Sequence, residues 1–152
     1  MLISTHLRDE LAFVLRGTFN RADLFRQLGE AVASVTNLAA AEVESGLANR
    51  EVQCSTAIGN GIALPHALVP GIPQPLVAVV LVPEGVEFAP GVPPVRLVLA
   101  IFGSPENPWV HVGMLARLAR IVSAEGAVDR LLAASDSADL VTRLRAEDAS
   151  HG

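Results

Sequence analysis

Between Glu51 and Glu84 the chain carries no Asp, Glu, Lys or Arg, and that uncharged run constrains the fold more than any other feature. So apolar a span must be buried in a core or in a membrane. A membrane-spanning helix needs about 20 consecutive apolar residues. Gly59, Gly61, Pro65, Pro70, Gly71, Pro73 and Pro75 interrupt the run too often for that. What survives the interruptions is Leu76 to Val82 (L-V-A-V-V-L-V), a valine-rich stretch with no alternation. Such a run reads as a strand buried on both faces. The chain is expected to be soluble, with no membrane insertion and a sheet built around this strand.

Val95 to Phe102 (V-R-L-V-L-A-I-F) supplies a second core strand after a turn or hairpin over Gly85 to Pro94. Leu11 to Leu15 reads as a shorter strand ending near Gly17, and Ile62 to Leu64 as another short one. Helices are read from caps and period. Asn20 and Asp23 stand in capping-box positions, ahead of an apolar row through Leu24, Phe25, Leu28, Ala31, Val32 and Val35. A second helix is expected from about Asn37 to Asn49 or Arg50. Asn107-Pro108 opens the clearest helix, with His111, Leu115, Leu118 and Val122 in one row and Arg117 and Arg120 elsewhere on its surface. Gly113 costs that helix roughly 1 kcal/mol against alanine, which suggests close approach of another group there. Two short helices, near Ala127 to Ala134 and Ala138 to Leu144, and a frayed tail over about 146–152 complete the chain. The expected fold class is α/β: a single layered domain over 1–152, with a mixed β-sheet flanked by helices on both sides.

Composition narrows the partners. The 11 basic residues are all arginine, are scattered, and are outweighed to a net charge of -5, so nucleic acid is not expected. A single Cys54 excludes an internal disulfide framework, and Met1 to Glu10 has no signal-peptide apolar core. Both fit a cytoplasmic location.

The reactive candidates lie in and beside the uncharged run. His66 follows Pro65 in a glycine-loosened loop, and spacing alone leaves it equally an ordinary loop histidine or a displayed active group. His111 lies in the first turn of its helix. It reads as a core histidine, or as a neutral imidazole beside a bound anion at the positive end of the helix dipole. His6 and His151 lie near the termini and attract no role. A neutral imidazole is a competent nucleophile near pH 7, and Arg50 offers a planar fork of donors to phosphate oxygens. Backbone N–H groups around Gly59, Asn60 and Gly61 suit an anion nest. Ser55 and Thr56 offer hydroxyls, or serve as turn and cap residues. Together these residues make a coherent phosphohistidine site. A rival reading uses His66, His111, Cys54 and a carboxylate as metal ligands for hydrolysis, without any H-E-x-x-H or C-x-x-C spacing to support it.

Arg50-Glu51, Ser55-Thr56 and Ile58-Gly59-Asn60-Gly61-Ile62-Ala63-Leu64-Pro65-His66 resemble the active-site segment of enzyme IIA proteins of the fructose/mannitol/nitrogen-regulatory class, from the bacterial phosphotransferase system. Val95 to Ala100 and the stretch from His111 through Leu115 to Arg120 resemble the family's core strand and its later histidine-containing helix. The chain departs from the pattern at Cys54 and Ala57, where many relatives carry glycine, and at Ala67-Leu68. The resemblance implies a phosphotransferase in which His66 accepts phosphate from an HPr-type phosphohistidine carrier. It makes Arg50 the phosphate stabiliser and His111 the neighbour of the acceptor. The phosphate then passes to a IIB domain, or its presence is read by regulatory target proteins. The absence of an attached transporter segment tips the expectation slightly towards nitrogen regulation. The apolar residues Pro65, Leu68, Val69 and Ile72 are candidates for a carrier-docking rim. No metal, nucleotide or other cofactor is implied. A non-catalytic regulatory module of the same fold stands as the alternative.

Overall fold

The computed structural model describes residues 2–151, and in chain order they form β1 (Leu7–Val14), α1 (Arg21–Val35), α2 (Ala40–Gln53), β2 (Ala57–Gly59), β3 (Ile62–Ala63), β4 (His66–Leu68), β5 (Leu76–Val86), β6 (Val95–Gly103), α3 (Pro108–Ser123), α4 (Ala127–Leu132) and α5 (Ser137–Ser150). The six strands make one mixed sheet in the order β1-β5-β6-β3-β2, with β4 also paired to β6. The two apolar runs are its centre. They lie antiparallel, Val79 opposite Leu99 and Val77 opposite Ile101.

Strand periodicity sends alternate side chains to opposite faces. Ala78, Val80, Val82, Val98, Ala100 and Phe102 pack under α1 and α2, in one core with Leu24, Phe25, Leu28, Val43 and Leu47. Val77, Val79, Leu81, Leu97, Leu99 and Ile101 pack on the other face with Met114, Leu118, Ile121, Leu131, Leu140 and Leu144 from α3, α4 and α5. Because both faces are covered, neither central strand shows the apolar–polar alternation of a half-exposed one. The fold is the mixed sheet with helices on both sides that the sequence led us to expect.

Strand β1 runs parallel to β5 and begins at Leu7, earlier than the apolar stretch from Leu11 suggested. Its added residues Arg8, Asp9 and Glu10 are exposed, so hydropathy alone does not mark them as strand. The capping box on α1 forms: Asp23 N–H donates to Asn20 Oδ1 at 2.8 Å, and Asn20 N–H to Asp23 Oδ2 at 3.1 Å. Helix α2 starts at Ala40 rather than Asn37 and continues past Arg50 to Gln53.

Two surface assignments are corrected. Arg117 is buried (4% exposed), not on the surface, and its Nε–H donates to the fully buried Asp148 at 2.9 Å. Asp148 lies where the frayed tail was expected, yet α5 is helical through Ser150. The pair explains the order: Asp148 also accepts the Ser4 N–H at 2.9 Å, and Arg117 Nη1 donates to the His151 carbonyl at 3.1 Å. Gly152, the last residue of that expected tail, lies outside the described residues. Among the described residues no helix is long and apolar enough to cross a membrane.

Candidate functional site

One edge of β6 carries two short parallel strands end to end. Ile62 of β3 pairs opposite Leu97, and His66 of β4 opposite Ile101. Leu64 and Pro65 break the edge between them, and Pro65 cannot donate to a ladder in any case. That break turns the Leu64 carbonyl toward the imidazole that follows: Nδ1 of His66 lies 2.9 Å from it. A carbonyl only accepts, so Nδ1 carries the proton and Nε2 holds the free lone pair.

Nε2 faces Arg50, whose Nε–H donates to it at 3.1 Å. Arg50 reaches it from the last turn of α2, where its Nη1 also donates to the Cys54 carbonyl at 3.0 Å and so closes the helix end. Burial lowers the His66 pKa below 6.5; the Leu64 carbonyl opposes that shift, the Arg50 charge adds to it, and Glu51 opposes it. The ring is neutral near pH 7 and its nucleophilic nitrogen is defined.

His111 approaches from α3. The two ring centroids are 5.3 Å apart, with the planes tilted at 55°. His111 is 5% exposed, and burial followed by the neighbouring His66 lowers its pKa to about 4. Both its ring nitrogens are buried without a hydrogen-bond partner among the described residues. Buried polar groups are nearly always paired, so this neutral imidazole has a donor and an acceptor still to spend.

The expected phosphate-holding loop is divided. Thr56 gives both its N–H and its hydroxyl to the buried Glu51 carboxylate, each at 2.7 Å, so its hydroxyl is already committed. Ser55 Oγ accepts the Ala57 N–H at 3.2 Å, as a turn residue does. Asn60 and Gly61, with φ of 56° and 75°, form the hairpin turn between β2 and β3, and Gly59, with φ of 94°, ends β2. The register sets that turn apart from His66: Leu97 and Ile101 are roughly 13 Å apart along β6. The structure therefore brings His66, Arg50 and His111 together and leaves the glycine nest elsewhere.

Of the expected docking rim, Pro65, Val69 and Ile72 are buried and Leu68 alone is exposed. Other exposed apolar side chains near the site in sequence are Val52 and Ile58, between Arg50 and His66, and Trp109 and Val112, flanking His111. The metal reading finds no ligand set: among the described residues no group of three or more His, Cys, Asp or Glu could hold an ion. Two contributors escaped sequence reasoning. Glu51 had no visible partner, because a carboxylate bonded to a backbone N–H five residues on leaves no spacing signal. Gly103, packed against His111, lies one residue past the strand expected over Val95 to Phe102 and drew no reading.

Comparison with known proteins supplies a context for this geometry. Residues 6–146 match the family described as phosphoenolpyruvate-dependent sugar phosphotransferase system, EIIA 2. A multiphosphoryl transfer protein of Rhodobacter capsulatus is 32% identical over 145 residues, covering 91% of this chain and 16% of that protein. The mannitol-specific phosphotransferase enzyme IIA component of Bacillus subtilis is 32% identical over 100 residues, covering 64% of this chain and 67% of that one. The nitrogen regulatory protein IIA-Ntr of Neisseria meningitidis superposes with a TM-score of 0.84 at 27% identity, covering 93% of this chain and 98% of that one. The chain thus spans only a small part of the multiphosphoryl transfer protein it matches.

Proposed function

Because the chain belongs to the EIIA 2 family of the phosphoenolpyruvate-dependent sugar phosphotransferase system, we propose that it is a phosphocarrier whose His66 Nε2 accepts a phosphoryl group from an HPr-type phosphohistidine carrier. The observation that carries this reading is the hydrogen bond from His66 Nδ1–H to the Leu64 carbonyl, which leaves Nε2 as the free lone pair. In the transfer, the Nε2 lone pair forms the new N–P bond. The N–P bond to the donor histidine breaks, and its electron pair returns to the donor ring. The acceptor ring then bears positive charge, and the Leu64 carbonyl accepts from the nitrogen that shares it.

Phosphoryl transfer gains most from positioned charge and donors. Arg50 must release Nε2 as phosphorus approaches, and its planar fork is then placed to take the phosphoryl oxygens. His111 offers one N–H to the same oxygens and has no competing partner among the described residues. Because it is neutral, it adds a hydrogen bond without a full charge, so phosphate is held and not trapped. Ser55, Gly59, Asn60 and Gly61 take no part in this reading.

Onward transfer to a IIB domain and display of the phosphorylated state to a regulatory target use the same chemistry. The likeness to a nitrogen regulatory IIA supports the second use, and the likeness to a mannitol-specific IIA supports the first. The test is intact-mass measurement after incubation with phosphoenolpyruvate, enzyme I and an HPr-type carrier. One phosphoryl group should appear on the chain, and phosphorus NMR should assign it to Nε2. Full labelling of a His66→Ala variant sinks the proposal. Loss of the label on adding a IIB domain separates sugar transfer from signalling.

A further inference from the structure

Resting on the phosphocarrier reading, we propose that Gly103 is a positioning residue for phosphoryl transfer: its missing side chain is the space in which the His111 imidazole lies against the end of β6, at reach of a phosphoryl group on His66. A Cβ at Gly103 would stand 2.8 Å from His111 Nδ1, 3.4 Å from its Cγ and 3.5 Å from its Cβ. The first distance is well inside van der Waals contact, so any side chain there displaces the ring.

The ring has nowhere neutral to go. It is 5% exposed, with His66 on one side at 5.3 Å between centroids and β6 on the other. No hydrogen bond tethers either nitrogen among the described residues, so packing alone holds the orientation. Displacement therefore tips the imidazole into the space the phosphoryl group needs, or out of the pocket altogether.

Gly103 also touches the other half of the site. It pairs opposite Leu68 of β4, and its carbonyl accepts the Val69 N–H at 2.8 Å. One residue thus holds the strand that carries His66 by its backbone and seats His111 by its lack of a side chain.

The test is a double-mutant cycle of Gly103→Ala and His111→Ala. It is read by the rate of phosphoryl transfer from a phosphorylated HPr-type carrier and by NMR titration of His111. Gly103→Ala should slow transfer at least tenfold, as misplacement of a catalytic group by about 1 Å does. It should also move the His111 titration up from about 4 toward the ordinary histidine value as the ring gains solvent. In the His111→Ala background the same change should alter the rate less than about twofold. Equal slowing in both backgrounds, or an unchanged His111 titration in Gly103→Ala, overturns the proposal. If Gly103→Ala alone fails to fold, the double variant decides: removing the ring should restore folding, and a double variant that is also unfolded overturns it. A wild-type chain that takes no label removes the phosphocarrier reading, and the titration still decides on Gly103.

Discussion

The Nε–H of Arg50 donates to Nε2 of His66 at 3.1 Å, so the guanidinium and the imidazole lone pair are bonded to one another. The contact helps keep the imidazole neutral and holds the guanidinium beside Nε2.

Replacing Arg50 separates those effects. Arg50→Gln should raise the His66 pKa, because the positive charge beside the ring is one of the causes that lower it. Arg50→Lys keeps the charge and loses the planar fork. It should slow phosphoryl transfer on the order of 100-fold, the loss seen when a preorganised donor is removed. Histidine NMR titration checks the first expectation and initial transfer rates the second.

Glu51, one residue on, should act in the opposite direction. Its charge raises the His66 pKa, so Glu51→Gln should lower it. The same change puts an amide NH2 against the N–H or hydroxyl of Thr56. Losing a buried bond to a charged acceptor costs about 1.5–3 kcal/mol. Thr56→Val, which keeps the backbone bond but loses the hydroxyl's bond to the same carboxylate, should cost a similar amount, about 1.5–3 kcal/mol. Urea denaturation at pH 7 measures both.

His111 predicts an acid-side loss of stability. Its folded pKa of about 4 lies below the ordinary 6.5, so between those values the unfolded chain binds a proton that the folded chain refuses. Stability is therefore full above pH 6.5, falls as pH drops toward 4, and flattens below that. The total is about 3 kcal/mol. His66 contributes with the same sign. The His111→Gln variant should show a shallower decline of unfolding free energy between pH 6.5 and 4.

The Arg117–Asp148 pair should be costly to halve. Arg117→Met leaves Asp148, fully buried, without its cation, and stability should fall by about 3–5 kcal/mol. A double change, Arg117→Met with Asp148→Leu, should cost clearly less, because no lone charge remains in the core. Equal losses in the single and double variants count against the ion-pair account.

What could be read from the sequence depended on the range of the interaction that fixed it. The α1 capping box, the Asn107-Pro108 helix start and the two apolar strands are local signals, and the structure contains all of them. His66, Arg50 and His111 could be nominated by chemistry and by resemblance. Arg117 could not be placed: on a helical wheel an arginine reads as solvent-facing, and its carboxylate lies 31 residues on, in what looked like a loose end. The place of the glycine turn was out of reach for a related reason. Gly59 to Gly61 sit close to His66 in sequence, and only the register of two short strands on β6 shows that extended backbone carries them apart.

The meeting of Ser4 with Asp148 has an architectural consequence. It brings the first and last turns of the chain to a common corner, beside β1. That strand is separated from β4 by β5 and β6, roughly 14 Å across the sheet. A disturbance at that corner has two central strands to cross before it reaches the histidine edge.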